Sequence, residues 1–118
     1  MIPADVEVFV ALDPVSLHKS FDTLAGEVQE LMGRSPRTGG LFIFFNRRRT
    51  ALKAIFADVS GLCIFYKRLD RGRFLLPEPV DEGRVVELGE DQLEVLLDGI
   101  DLPRARAQAK KTTMPPVH

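Results

Sequence analysis

The sequence predicts an α+β fold: a single domain with one long N-terminal helix, an antiparallel sheet of β-hairpins and a short C-terminal helix. An apolar stripe of helical spacing predicts the long helix, and short apolar runs separated by turn residues predict the hairpins. A length of 118 residues allows one hydrophobic core to form without disulfides, and an apolar share of 45% is ordinary for a globular protein.

The first part of the chain predicts a strand followed by the long helix. Valines alternate with other residues over 6–10, which is typical of a short strand. Asp13 and Pro14 favour a helix start, because the carboxylate can cap free N–H groups and proline fits the first helical position. Apolar residues then recur every three or four positions, and Gly33 suits a C-cap, so a helix is expected over about 14–32. The stripe consists of Leu17, Phe21, Leu24, Val28 and Leu31.

The middle of the chain predicts paired strands. Residues 33–40 have the composition of a loop, and the continuous apolar run Leu41–Phe45 is typical of a buried strand. Ala51–Ala57 fits either a helix or a strand on its own. We interpret it as a strand, because Asp58–Gly61 resembles a hairpin turn that leads into the apolar run Leu62–Phe65.

The last part of the chain predicts a further strand, an extended piece and a helix. Asp70–Arg73 resembles a turn that returns the chain as a strand over Phe74–Leu76. Val85–Leu88 is expected to be extended. A short helix is expected over about 90–98, because acidic residues at the N-terminus of that segment suit the helix dipole. Residues 103–118 are small, basic or proline, so we expect a folded domain over 1–102 and a disordered basic tail.

The distribution of charge is the most function-related property of the sequence. The net charge is only −1, but residues 34–73 hold ten basic and two acidic residues, a balance of +8. The flanks are acidic, with a balance of −5 over 1–33 and −8 over 74–101, and the tail adds four basic residues. A basic middle between acidic flanks is typical of a surface that binds an acidic partner.

The basic middle favours a phosphate-binding face. Neutralised phosphates release counterions, and arginine offers planar paired donors to phosphate oxygens. Aromatic residues lie beside the basic clusters and could stack on bases if exposed. Two alternatives stay open: the face could meet an acidic protein surface, including a second copy, or it could be only a solvated surface with the aromatics in the core. The candidate nucleic-acid-binding residues are Arg47, Arg48, Arg49, Lys53, Lys67, Arg68, Arg71 and Arg73, and the aromatics are Phe44, Phe45, Phe65 and Tyr66.

The residues predict no catalytic site, no cofactor and no metal site. His18, the terminal His118 and the apolar-flanked Cys63 lack the grouping of a metal site, and Cys63 fits a core position. A metal-dependent nuclease built on Asp58 and Lys53 is a weak alternative. Asp58 opens an Asp-x-x-Gly turn, where its carboxylate is expected to bind local backbone N–H groups.

The sequence also predicts a cytoplasmic protein without a membrane segment. One cysteine cannot form an internal disulfide, and Asp5 and Glu7 interrupt any apolar stretch at the N-terminus. No run approaches the roughly 18 apolar residues that a membrane helix needs.

Several of these segments together resemble a known family, the TnpB-type accessory protein encoded by the second open reading frame of insertion-sequence family sixty-six. Near the start, Lys19, Phe21, Asp22 and Leu24 match that family's Lys-x-Phe-Asp-x-Leu signature. The resemblance covers about 1–102, and the other segments that carry it are Leu41–Arg49, Leu52-Lys53, Asp58–Leu62, Tyr66–Phe74, Pro77 and Gln92–Asp101.

The sequence departs from the family pattern in two ways. Ser16-Leu17-His18 stands where Asp-Met-Arg is usual, and Ala57 and Leu76 stand where members tend to carry tryptophan. The resemblance implies a non-catalytic accessory protein of a bacterial mobile element, in which a separate, larger transposase cuts and joins. Our leading hypothesis is that this accessory protein binds element DNA, the transposase of the same element, or both, through its basic face. The alternative is a pure protein-interaction module that binds the transposase or a second copy of itself and has no DNA binding of its own.

Overall fold

In a computed structural model that describes residues 6–79 and 82–98, the chain forms a five-stranded mixed sheet with one helix on each face. The strands lie in the order β4-β3-β2-β1-β5. The elements along the chain are β1 (Val8–Ala11), α1 (Phe21–Met32), a 3-10 helix (Pro36–Thr38), β2 (Leu41–Phe45), β3 (Ala51–Ala57), β4 (Leu62–Arg68), β5 (Val85–Leu88) and α2 (Glu90–Asp98).

The sheet is mixed, so the prediction of an antiparallel sheet of hairpins was wrong. β1 and β2 are parallel, with Val8 opposite Leu41, whereas the other three neighbouring pairs are antiparallel. The segment between β1 and β2 contains α1, and a connection of that length can bring the chain back in its original direction. β1 therefore lies in the sheet between β2, its parallel neighbour, and β5, its antiparallel neighbour.

The predicted long N-terminal helix was also wrong, because α1 has 12 residues and begins at Phe21 instead of near residue 14. Ser20 is the N-cap, and its backbone N–H donates to the Thr23 hydroxyl at 2.9 Å. The C-terminal end was predicted correctly, since Gly33 has φ 66° and donates its N–H to the Gln29 carbonyl.

Long-range contacts hold the segment before α1 in an irregular conformation. Asp13, the predicted N-cap, instead pairs with Arg84 at 2.9 Å. The Val15 N–H donates to the Phe45 carbonyl at 2.9 Å, which ties this segment to the end of β2. Leu17 still packs against the core on the α1 side. Two other residues of the predicted stripe, Phe21 and Leu31, are exposed, so the stripe predicted burial only in part.

The core has two layers because strand side chains alternate between the faces of the sheet. On one face Leu24 and Val28 of α1 pack against strand residues that include the stacked rings of Phe9 and Phe42, whose centroids are 5.6 Å apart. On the other face Leu96 of α2 joins the second layer. Every residue of β2 is buried, so this strand is covered on both faces.

Most of the remaining elements match their predictions. β2, β3, β5 and α2 have the predicted positions, and β4 runs on to Arg68. Phe74–Leu76 was predicted to be a strand and is not one. Phe74 instead donates its N–H to the Arg49 carbonyl at 2.7 Å and packs its ring against Phe45. The predicted tail, 103–118, lies outside the described residues.

Among the described residues, no helix is both long and apolar enough to cross a bilayer.

The approach of the chain to β2 gives a test of the fold. Gly40 has φ 97°, and a Cβ there would lie 2.7 Å from the Phe42 ring. We expect Gly40→Ala to reduce the free energy of unfolding by more than about 1 kcal/mol. Gly26→Ala is the control: it lies inside α1 with nothing within 4 Å of its Cβ, and should stabilise by about 0.5–1 kcal/mol. Urea denaturation measures both, and equal effects would contradict the described approach to β2.

Candidate functional site

Two basic segments of the chain meet at one end of the sheet. β2 ends at Phe45 and β3 begins at Ala51, so the turn 46–50 lies at this end. β4 ends here as well, because Arg68 lies opposite Ala51 in the antiparallel pair. The segment 69–74 then runs beside the turn.

Backbone hydrogen bonds join the two segments. The Leu69 N–H donates to the Thr50 carbonyl at 2.8 Å, and the Phe74 N–H donates to the Arg49 carbonyl at 2.7 Å. Residues that are about 20 positions apart in sequence are thereby placed side by side. We call the six arginines of these segments the arginine cluster: Arg47, Arg48, Arg49, Arg68, Arg71 and Arg73.

The side chains of the arginine cluster are exposed and uncompensated. All six are exposed, and none forms an ion pair or side-chain hydrogen bond within residues 6–79 and 82–98. Asp13 lies at the same end of the sheet, but the hydrogen bonds and charge of Arg84 hold its pKa below the usual value. Its negative charge is already paired, and Asp70 is the one acidic residue within the two segments that carry the six arginines. Positive charge therefore predominates in these two segments.

A local hydrogen-bond network holds the turn that carries the first three arginines. The Asn46 side-chain oxygen accepts from the backbone N–H groups of Thr50 at 2.9 Å and Ala51 at 3.1 Å. The Arg49 N–H donates to the Asn46 carbonyl at 3.1 Å, and Arg49 has a left-handed φ of 61°. Asn46 fixes the backbone from which the arginines project, a role that the sequence prediction did not assign to it.

The two lysines of the predicted face bind within the protein. The Lys53 amine donates to the Lys19 carbonyl at 2.8 Å, and the Lys67 amine donates to the Leu97 carbonyl at 2.5 Å. They lie on opposite faces of the sheet, because Lys53 pairs with Tyr66 in register and Lys67 pairs with Leu52. Lys67 contacts the C-terminal end of α2, where a cation is favoured by the helix dipole. The structure thus separates both lysines from the arginine cluster.

The remaining basic residues of the +8 segment lie at the other end of β2. Arg34 pairs with Glu7 at 3.3 Å and its guanidinium lies 4.3 Å from the centroid of the Phe9 ring. Arg37 belongs to the 3-10 helix that precedes β2, and its side chain is exposed. The basic residues of the +8 segment are therefore divided between the two ends of β2, and only some of them lie near the turn 46–50.

Of the four aromatics considered for base stacking, Tyr66 alone presents its ring to solvent. Phe44 and Phe45 are fully buried, and Phe65 packs against the core from β4. Tyr66 is 56% exposed, because it lies on the edge strand of the sheet. The Lys53 amine lies 5.0 Å from the centroid of its ring.

Tyr66 forms one wall of a groove of about 480 Å³ beside the arginine cluster. The irregular segment 14–18, which contains His18, also lines this groove, together with Asn46, Arg47 and Ala51. The groove exists because the segment that follows β1 is bonded to the end of β2 instead of forming a helix. Sequence reasoning missed this groove, since it assigned 14–18 to the long helix.

Asp58, the residue of the nuclease alternative, lies at the opposite end of β3 from the arginine cluster. Its carboxylate accepts from the backbone N–H groups of Ser60 at 2.9 Å and Gly61 at 3.0 Å. These bonds, with a smaller contribution from the Cys63 thiol, hold the pKa of Asp58 below its usual value. Five residues of extended strand, about 16 Å, separate Asp58 from Lys53. The structure does not bring these two residues together.

The other residues considered for chemistry are also dispersed. Among the described residues, no group of three His, Cys, Asp or Glu side chains could hold a metal ion. Cys63 is partly buried against the core, and burial and the Asp58 carboxylate raise the pKa of its thiol. A thiol that stays protonated is a weak nucleophile. His118 lies outside the described residues.

The bond between Lys67 and α2 predicts a structural role for this lysine. We expect Lys67→Met, which keeps the aliphatic stem, to reduce the free energy of unfolding by about 0.5–1.5 kcal/mol. Arg68→Met removes the same charge from the next residue and should change it by less than about 0.5 kcal/mol. Urea denaturation of the two variants checks this, and an equal loss in both would show that the Leu97 contact does not stabilise the fold.

The Asp58 turn predicts a pH dependence of stability. Folding lowers the pKa of Asp58, so its stabilising contribution is complete above the ordinary value of 3.8 and is lost as the pH falls through the folded value. Asp58→Asn should therefore lose less stability than the wild type between about pH 5 and pH 2. Thermal melts of the two proteins over this range check this, and parallel losses of stability would show that the Asp58 turn does not cause the acid dependence.

Comparison with known proteins agrees with the resemblance in sequence. The family described as IS66 Orf2 like protein matches residues 6–107. The Sinorhizobium fredii protein y4hO is 41% identical over 103 residues, which is 86% of this chain and 88% of y4hO. The protein y4jC of the same organism is 27% identical over 106 residues, which is 90% of this chain and 89% of y4jC. No solved structure matches the chain. The chain therefore belongs to the family of IS66 Orf2-like proteins, as the sequence motifs indicated.

Proposed function

We propose that this protein is a non-catalytic accessory factor for transposition of a bacterial insertion sequence, and that it binds element DNA in the cytoplasm through the arginine cluster. Family membership supports the link to transposition. The observation that carries the DNA-binding part is the set of six exposed arginines that have no acidic partner among the described residues.

The chemistry of arginine suits a phosphate backbone. A guanidinium offers paired, planar donors to phosphate oxygens, and each neutralised phosphate releases counterions. Contacts of this kind position a protein on DNA and carry no sequence information by themselves. In this proposal the six arginines contact phosphates. Lys53 and Lys67 instead bind backbone carbonyls of the protein and contribute to DNA binding only through their positive charge.

Backbone rigidity supports the same use of the turn. Asn46 fixes 46–50 through three hydrogen bonds of its side chain, and 69–74 is bonded to that turn. Arginines on a fixed backbone lose less conformational freedom on binding than arginines on a free loop. The backbone that carries the cluster is therefore fixed before a partner binds.

A second candidate function is binding to protein alone, either to the transposase of the same element or to a second copy. The observation that favours it is the acidic α2, which carries Glu90, Asp91, Glu94 and Asp98 on the helix. This helix offers a complementary charge to the arginine cluster of another copy. Such a contact would leave the protein without DNA binding of its own.

Titration of labelled duplex DNA by fluorescence anisotropy, at several salt concentrations, tests the DNA proposal. Changing Arg47, Arg48 and Arg49 together to alanine should weaken binding and reduce the slope of log affinity against log salt by up to roughly 0.9 for each lost phosphate contact. Comparing duplexes with and without an element end measures sequence specificity.

Single substitutions supply a control of equal charge. Arg48→Ala removes a cation from the cluster, and Arg37→Ala removes an exposed cation from the other end of β2. The first should reduce the salt slope and the second should not. Equal effects would mean that overall charge, and not the cluster, attracts DNA.

Absence of duplex binding at low salt would contradict the DNA proposal and favour the second candidate function, binding to protein alone. Co-purification with the transposase would then be the decisive measurement. For a second copy, sedimentation should shift toward the monomer as salt rises, because the contact joins opposite charges.

A further inference from the structure

We propose that the groove beside Tyr66 binds an unpaired nucleobase, so that the protein prefers single-stranded to duplex DNA. This inference rests on the proposed DNA binding and names the form of DNA that the site takes. It is carried by the position of one exposed aromatic ring between a polar groove and the arginine cluster.

The ring of Tyr66 is suited to stacking. It lies on β4, an edge strand of the sheet, and Tyr66 is 56% exposed. The Lys53 amine lies 5.0 Å from the ring centroid and is itself held by the Lys19 carbonyl at 2.8 Å. This contact orients the ring, and a base would stack on the ring face that Lys53 does not cover. A base that stacks on a pre-oriented aromatic ring gains affinity with little loss of side-chain freedom.

The groove has the size and composition for a base. Its volume of about 480 Å³ lies in the usual range for small-molecule sites, roughly 300–1,000 Å³. Segment 14–18 lines it with apolar side chains and with the hydroxyl of Ser16 and the exposed ring of His18. These polar groups can contact the edge of a base that is not paired.

The phosphates of such a strand would lie against arginines. Arg47 lines the groove itself, and Arg68 follows Tyr66 by two positions on the same face of β4. A nucleotide with its base against Tyr66 therefore has two arginines near its backbone at this end of the sheet. The same arrangement follows the pattern of single-strand binding, in which a basic groove runs beside stacking aromatics.

Duplex DNA cannot use this groove in the same way. In a duplex both faces of each base are stacked and its pairing edge is occupied, so a base must leave the helix before its face can reach a protein ring. Duplex contacts would be limited to phosphates on the arginine cluster. The geometry therefore predicts a difference between the two forms of DNA that depends on Tyr66.

Intrinsic fluorescence tests the inference directly, because Tyr66 is the single tyrosine of the chain and the chain has no tryptophan. Titration with a thymine oligonucleotide should quench the Tyr66 emission, whereas a duplex of the same length should leave most of it. Anisotropy with the same labelled DNAs should show tighter binding of the single strand. Tyr66→Ala should weaken single-strand binding roughly ten-fold or more and leave duplex binding unchanged.

Two further variants make the outcome decisive. Tyr66→Phe keeps the stacking ring and should retain single-strand affinity, and Arg48→Ala should weaken both forms of DNA. A urea denaturation curve of Tyr66→Ala controls for misfolding. If single strands bind without quenching, or bind Tyr66→Ala as tightly as the wild type, the groove inference is wrong and the proposed function stands. If neither form of DNA binds, the proposed function itself is wrong.

Discussion

The parallel pairing of β1 with β2 is the constraint on which the rest of the structure depends. It places β2 in the centre of the sheet, where all five of its residues are buried on both faces. It requires a long crossover, which carries α1 to one face of the sheet. Because parallel strands end on the same side of the sheet, this pairing also brings the segment after β1 beside the turn after β2. The groove and the arginine cluster are adjacent for that reason.

Local patterns predicted the elements whose formation depends on local chemistry. The run Leu41–Phe45 is a strand because a short, fully apolar segment needs cover on both faces. The hairpin of β3 and β4 follows from Asp58, whose carboxylate closes the turn within three residues. The N-terminal part of the predicted helix failed because its partners are distant: Asp13 pairs with Arg84, 71 positions away. No local pattern reports such a contact.

The candidate site was predictable in charge but not in geometry. The sequence located the basic segments, and within residues 6–79 and 82–98 the arginines of the turn form no ion pair. Lys67 could not be separated from them by sequence, since its partner carbonyl lies 30 positions further along the chain. Tyr66 was one of several aromatics, and the sequence does not show that its side chain is 56% exposed while that of the preceding residue, Phe65, packs against the core.

The backbone conformation of Arg49 lowers the stability of the turn, whereas the side chain of Arg49 adds a positive charge to the surface. Its φ of 61° lies in the left-handed region, which costs a residue with a Cβ about 1–2 kcal/mol and costs glycine little. Glycine at this position would relax the turn and remove one cation from the surface. Arg49 therefore keeps a cation on the turn together with a less favourable backbone conformation.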